Sequence, residues 1–330
     1  MKSVLQHRFG YQSLTRAEAR EIITDIAQGK YQEAQMAAFM TSYKMHDITL
    51  EEMQGFVDAL MELRVPVDLG DFDTIDVVGT GGDGKNTFNI STLSSFVLAG
   101  AGYHVAKHGN YGVSSACGSS NVLEYLGYKF TNDVDILRRQ IDQHKVCFFH
   151  APMFHPALKT VGPTRRSLAV PTFFNMLGPL VNPAQPSRQL TGVYDRQLAR
   201  LYQYFFQQTA RSYMIIHSLD GYDEVSLTGP FLVKSNLTEK ILSPQDVGLP
   251  VVKAEDISGG HTIENAAKIF LGILEGRGTP AQIDVVAANA GLGIHCYKQH
   301  TALQECVAEA REALVSGSAL NTFKQLINAQ

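Results

Sequence analysis

Glycines 79, 81, 82 and 84 fall within one six-residue stretch, GTGGDG, directly after the apolar run TIDVV at 74–78. Residues without a Cβ let a backbone close on a ligand. Asn89, Ile90, Ser91 and Thr92 follow. They offer hydroxyls and open backbone N–H groups at what reads as a helix N-terminus, where anions are favoured. A second run, YHVA at 103–106, ends in Lys107 and His108, with KHGNYGVSS spanning 107–115. These two residues can bring positive charge to the same edge. The chemistry this set points to is a phosphate cradle, as in an enzyme of phosphorylated sugars.

Gly79-x-Gly81-x-x-Gly84 also satisfies the dinucleotide-binding pattern. That reading needs Asp or Glu at the end of the next strand to hold a ribose hydroxyl pair. Here the strand ends in Ala106, Lys107 and His108, a cation where an anion is required, and lysine suits phosphate as a point charge. No Gly-Lys-Ser/Thr closes the loop, so the Walker pattern fails. A plain glycine corner would not need Ser91, Thr92, Lys107, Ser114 and Ser115 around it.

Further along, Asp223 and Glu224 follow the turn formed by Asp220, Gly221 and Tyr222. Adjacent carboxylates in a turn suit magnesium, which takes oxygen ligands and bridges to phosphate, though such a pair is often merely solvated. Arg165 and Arg166 are neighbouring guanidinium forks of the kind that grips a carboxylate with two parallel bonds, or that forms a salt bridge between domains. His108 can stack near an aromatic ligand or serve as a core or capping histidine.

The chain has 330 residues and a net charge of −4. That length allows one or two domains, and the charge argues against a broad nucleic-acid surface. Cys117, Cys147, Cys296 and Cys306 show no metal spacing and read as reduced thiols, Cys117 beside the basic turn. The N-terminus lacks a signal-peptide core, and no run of about 18 apolar residues occurs. The reading is a cytoplasmic protein with no membrane partner.

Residues 1 to about 66 read as wholly helical. Thr15 with Glu18 and Thr49 with Glu52 are capping boxes, and apolar residues recur at three- and four-residue spacing through 17–27, 33–44 and 52–63. From residue 74, strands at 74–78, 103–106, 146–149, 189–193 and 212–217 alternate with helices at 91–101, 119–127, 133–143, 195–209, 262–275, 281–295 and 301–315. Such alternation implies a mainly parallel sheet covered on both faces, with ligands beyond the strands' carboxyl ends. Gly79, Lys107 and His150 lie just past those ends. The fold class is α/β: a small helical domain at 1–70 and a larger α/β domain at 71–330. Part of 151–188, which holds seven of the twelve prolines, reads as short broken helices packing with the helical domain.

The ordered series GTGGD at 79–83, NIST at 89–92, KHGN at 107–110 with Ser114 and Ser115, Gly118-Ser119, FFHAPMFHPALK at 148–159, RRSLAVPTFFNMLGPLVNP at 165–183, Asp223-Glu224 and ENAAKIFLGILEGRG at 264–278 resembles the anthranilate phosphoribosyltransferase family over nearly the whole chain. The resemblance implies the fold shared with pyrimidine nucleoside phosphorylases and a homodimer built through the helical domain. It implies transfer of phosphoribose from 5-phosphoribosyl 1-diphosphate to anthranilate in tryptophan biosynthesis, which the complete lack of Trp in the chain fits. It places the sugar diphosphate against Gly79, Gly82, Asp83, Thr87, Asn89, Ile90, Ser91, Thr92, Lys107, His108, Gly109, Asn110, Ser114, Ser115 and Ser119. Anthranilate falls to Gly79, Asn110 and Arg165, and Mg2+, two ions per active site, to Ser91, Asp223 and Glu224. No residue is assigned as general acid or base. Two departures stand out: Tyr111 where the family often has Arg, which removes a cation from the phosphate region, and His150 where a small or apolar residue is usual. A phosphorylase of pyrimidine nucleosides and a non-catalytic nucleic-acid-binding relative are the rival readings.

Overall fold

The structure, a computed structural model, describes residues 1–112 and 117–329. The first four helices are α1 (Lys2–Phe9), α2 (Arg16–Ala27), α3 (Glu33–Met45) and α4 (Leu50–Glu62). Thr15 and Thr49 start α2 and α4 through reciprocal bonds with Glu18 and Glu52, which satisfy N–H groups that the first turn leaves open.

Strands and helices then alternate: β1 (Thr74–Gly79), α5 (Ile90–Gly100), β2 (His104–Gly109), α6 (Ser119–Tyr125), α7 (Val134–His144) and β3 (Val146–His150). The short α8 (Ala151–Phe154), the 13-residue α9 (Pro156–Leu168), longer than the broken helices expected here and continuous through Pro163, and the short α10 (Phe173–Leu177) lead to β4 (Arg188–Gly192), α11 (Arg196–Phe206) and β5 (Ser212–Ser218). Then come β6 (Phe231–Ser235), β7 (Glu239–Leu242), α12 (Ile263–Leu274), α13 (Pro280–Tyr297), α14 (Leu303–Val315) and α15 (Ser318–Asn328).

All seven strands form one sheet in the order β3-β2-β1-β4-β5-β6-β7. The first five are mutually parallel; β6 pairs antiparallel with β5, and β7 antiparallel with β6 at the edge. Side chains alternate between the two faces, as a strand's period of two requires. Ile75, Val77, Val105, Val146, Phe148, Met214 and Ile216 join the core under α5, α12, α13, α14 and α15. Tyr213, Ile215 and Leu232 face the other way, into a core shared with the N-terminal helices and with α9 and α10. Rings from both parts meet there: Phe173 stacks on Phe56 at 4.7 Å and meets Phe39 edge-on at 5.7 Å.

Beyond the pair Ile75–Val105, the ladder between β1 and β2 records no further partners, whereas β1–β4 and β2–β3 continue to Gly79 and Gly109. Side chains fill the parting at the carboxyl edge. The buried Asp76 carboxylate accepts the His108 N–H at 3.1 Å, and the Lys107 ammonium donates to the Val77 carbonyl. This parting opens the floor of a cavity.

Candidate active site

The cavity, about 230 Å3, sits where β1, β2, the start of α5, the segment after β5 and the helices α9 and α10 converge. Gly81, Gly82 and Gly84 turn the loop with φ of 65°, 79° and 70°, the left-handed region that glycine alone enters freely. Gly79 serves closeness instead: a Cβ there would lie 2.3 Å from Asp223 Oδ2. Glycine thus lets the Asp223 carboxylate lie against the loop, where it accepts the Gly81 N–H at 2.6 Å.

Glu224 Oε1 accepts the Ser91 N–H at 2.9 Å. The anion at the N-terminus of α5 is therefore a carboxylate of this chain, and that N–H is not open to phosphate as the sequence suggested. Burial raises the Glu224 pKa to about 7, against the Ser91 bond and with help from Asp83. Burial, then Glu224 and Asp83, push Asp223 well above the usual carboxylate range, and burial likewise raises Asp83. Crowded buried acids of this kind are relieved by a divalent cation, so the donor chemistry fits magnesium. Among the described residues no three His, Cys, Asp or Glu side chains converge on one point. An ion at Asp223 and Glu224 would complete its shell from the Ser91 hydroxyl, substrate oxygens and the water that magnesium usually retains.

Lys107 and His108 diverge. Consecutive strand residues point to opposite faces, so the two do not bring charge to one edge as the sequence suggested. Lys107 is fully buried, on the Val77 carbonyl and 3.4 Å from Ser91 Oγ. Burial lowers its pKa, against the pull of Asp76, Glu224 and Asp223. His108 turns to the other face, its Nδ1 2.9 Å from the Gly178 carbonyl. That contact requires a proton on Nδ1 and leaves Nε2 without a partner among the described residues. Burial, with His155 adding to it, brings the His108 pKa down to about 3, so the ring is neutral.

On the helical side Arg165 is buried, with Nη2 3.1 Å from Asn175 Oδ1, and burial lowers its pKa to about 10. It remains a cation at neutral pH. Arg166, one residue on, is exposed and outside the cavity wall. Buried polar atoms without a partner among the described residues gather around the cavity: Arg165 Nε, His108 Nε2, Thr80 Oγ1 and Thr92 Oγ1. Native interiors rarely leave such groups unpaired unless a ligand or ion uses them.

A family model described as "Glycosyl transferase family, a/b domain" matches residues 71–320, and one described as "Glycosyl transferase family, helical bundle domain" matches residues 2–63. The anthranilate phosphoribosyltransferase of Cytophaga hutchinsonii is 54% identical over 327 residues, covering 99% of this chain and 100% of that one. That of Christiangramia forsetii is 53% identical, covering 99% and 98%. The chain belongs to the anthranilate phosphoribosyltransferase family. Among solved structures, the Thermus thermophilus member superposes with a TM-score of 0.89 at 31% identity, covering 98% of both chains. The Saccharomyces cerevisiae member, solved in complex with PRPP and Mg, gives 0.88 at 25% identity and covers 99% of this chain and 96% of that one.

Against the site implied by the family, Gly79, Gly82, Asp83, Thr87, Asn89, Ser91, Thr92, Lys107, His108, Gly109, Asn110, Ser119, Arg165, Asp223 and Glu224 all line the one cavity. Ile90 does not: as the first residue of α5 it turns fully into the core, leaving only its backbone near the site. Ser114 and Ser115 lie outside the described residues. Asn89 makes no capping bond; its Nδ2 donates to the Cys117 carbonyl at 3.2 Å, tying the start of α5 to the turn after β2. The sequence reading passed over Lys85, Phe174, Asn175 and Gly178, which also line the cavity. Lys85 directly follows the glycine run, so a signal existed for it; Asn175 Oδ1 accepts the Thr172 N–H at 3.0 Å, a contact the sequence did not announce.

The two departures touch. The rings of Tyr111 and His150 are 4.5 Å apart, Tyr111 Oη donates to Glu124 at 3.1 Å, and His150 Nδ1 lies 2.9 Å from Ser120 Oγ. Tyr111 therefore leans away from the carboxylate end toward α6.

Proposed function

We propose that this chain transfers the phosphoribosyl group of 5-phosphoribosyl 1-diphosphate to anthranilate, releasing diphosphate, as a cytoplasmic step of tryptophan biosynthesis. The observation that carries this reading is one cavity with a buried, incompletely bonded arginine on one wall and a carboxylate–ammonium–glycine set on the other. Arg165 and Asn110 orient the aromatic acid, the guanidinium meeting the acceptor carboxylate as a planar fork. Positioning of this kind makes the reaction effectively unimolecular. Gly79, Gly82, Asp83, Thr87, the backbone of Ile90, and Thr92, Gly109 and Ser119 surround the sugar diphosphate. Lys107, fixed beneath the carboxylates, donates toward the Ser91 hydroxyl and attracts Glu224 by charge.

Asp223, Glu224 and Ser91 would hold magnesium, two ions per site in this reading. When bound, the metal neutralises the negative charge that grows on the leaving diphosphate. The acceptor's aromatic amine is neutral and attacks without a base, in keeping with a cavity whose one histidine is already a neutral hydrogen-bond donor to Gly178. Catalysis then rests on stabilising the departing charge more than the ground state.

The test is to mix protein, magnesium, phosphoribosyl diphosphate and anthranilate and follow anthranilate fluorescence. Loss that requires every component supports the reading. A stable signal, with phosphorolysis of uridine or thymidine instead, replaces it with the nucleoside phosphorylase reading. We further infer pairing of two copies through the N-terminal helices. Phe9 and Met45 there are 60% and 73% exposed, apolar side chains that such pairing would cover. Light scattering on the same preparation, giving one chain mass rather than two, would remove the pairing.

A further inference from the structure

The cavity's charges are unevenly distributed. On the glycine-loop side stand three acids, Asp83, Asp223 and Glu224, and two lysines, Lys85 and Lys107. Lys107 is sealed in, its ammonium committed to the Val77 carbonyl and Ser91. Arg165 is held across the cavity beside Asn175, and His108 is neutral. Besides the magnesium that Asp223 and Glu224 would hold, the cavity's remaining cation for a leaving diphosphate among the described residues is Lys85.

Lys85 is half-buried at the cavity's edge. Its ammonium lies 4.7 Å above the centre of the Tyr222 ring, one residue before Asp223. Among the described residues that ammonium makes no ion pair and donates no hydrogen bond. Asp83, two residues earlier, accepts the Lys85 backbone N–H at 3.0 Å on Oδ1 and forms no ion pair with the ammonium. A cation on an aromatic face is held weakly, by about 0.5–1 kcal/mol at exposed sites, whereas a charge-assisted bond to phosphate oxygen is stronger. The ring parks the ammonium next to the diphosphate end without spending it on a carboxylate.

We propose that Lys85 takes the departing diphosphate, its ammonium passing from the face of Tyr222 to the diphosphate oxygens as the ribose C1–O bond breaks. Both electrons of that bond stay on the diphosphate oxygen. The new C1–N bond uses the lone pair of the aromatic amine, and the proton the amine sheds goes to solvent. Lys85 keeps its own proton and supplies charge only. This role rests on the transferase reading above.

The test compares wild type with Lys85→Gln and Lys85→Arg, each with full steady-state kinetics and inhibition by inorganic diphosphate. Losing a hydrogen bond to a charged group costs about 10- to 100-fold. Lys85→Gln should lose about that much in kcat/KM for the sugar diphosphate and weaken diphosphate inhibition by a similar factor. Its KM for anthranilate should stay at the wild-type value, and Lys85→Arg should recover most of the loss. Unchanged sugar-diphosphate kinetics in Lys85→Gln, an effect confined to anthranilate, or a loss that Lys85→Arg fails to restore would each overturn the proposal. Wild-type protein without transferase turnover would overturn the transferase reading as well, so the two failures are distinguishable.

Discussion

Glu224 does two jobs that the sequence shows as one. It is an acid next to Asp223, and it is also the anion that occupies the N-terminus of α5 through the Ser91 N–H. A helix end favours negative charge, yet burial beside Asp83 still lifts this carboxyl to about 7, so the site stores repulsion that a divalent ion relieves. Glu224→Gln keeps an oxygen for the Ser91 N–H and removes the charge. It should leave the fold intact and lower magnesium-dependent turnover by about 100-fold or more, because even residues one layer behind a metal cost 10- to 100-fold. Turnover and magnesium titration of the variant check this, and wild-type values in both would take Glu224 out of the metal site.

At the scale of elements, Glu52 shows why a short motif understates its residue. Thr49 and Glu52 read as a capping box, and Oε2 does accept the Thr49 N–H and hydroxyl. Oε1 meanwhile accepts from Arg8, Leu14 N–H and Tyr43, all buried and distant in sequence. Arg8 also lies 4.0 Å over the Tyr43 ring. One carboxylate thus pins α1, the following turn and α3 to the start of α4. Losing a cap alone costs about 1 kcal/mol, whereas stranding a buried arginine costs about 3–5 kcal/mol. Urea unfolding of Glu52→Ala should show the larger loss; a loss near the cap value would mean that Arg8 finds water or another partner.

The same contrast explains which elements were legible. Helices with apolar spacing and capping boxes, and the parallel strands buried on both faces, announce themselves in composition. β6 and β7 do not: β7 has four residues and is exposed at the sheet edge, and β6 pairs with β5 across the intervening segment 219–230. The strand containing YHVA runs on to Gly109, because its ladder with β3 continues to Gly109, and that requires knowing that β2 and β3 are neighbours. For the same reason the opposite facing of Lys107 and His108 was hidden until the strand's true end was known. The glycine loop, Arg165 and the acid pair were legible because their chemistry is written in adjacent residues. Lys85 was visible as a cation next to the glycine run, but its partner was not, since Tyr222 lies far along the chain.

For the whole molecule, His155 marks the place where the helical part and the sheet part are joined. It is buried, with Nε2 2.7 Å from the Val181 carbonyl, Nδ1 3.3 Å from the Leu60 carbonyl at the end of α4, and its ring 5.5 Å from His108. Burial lowers its pKa to about 4, against about 6.5 in an unfolded chain. Between those values the unfolded chain binds a proton that the native fold refuses. The stability His155 allows is fully present above about pH 6.5 and falls as pH drops toward 4, by about 1.4 kcal/mol per pH unit. His108, brought down to about 3, acts in the same direction. Glu224, raised to about 7, acts oppositely, since its native form binds the proton that the unfolded chain has released. The wild-type profile is therefore a sum of opposing slopes, and only a difference isolates the junction. His155→Gln keeps a polar side chain that cannot take up a proton. Its stability deficit relative to wild type, from urea unfolding at pH 7.5, 6.0 and 5.0, should shrink by about 1.4 kcal/mol for each pH unit below 6.5. A deficit that stays constant across that range would mean that His155 exchanges its proton as freely in the fold as out of it, and that the junction is not sealed from water.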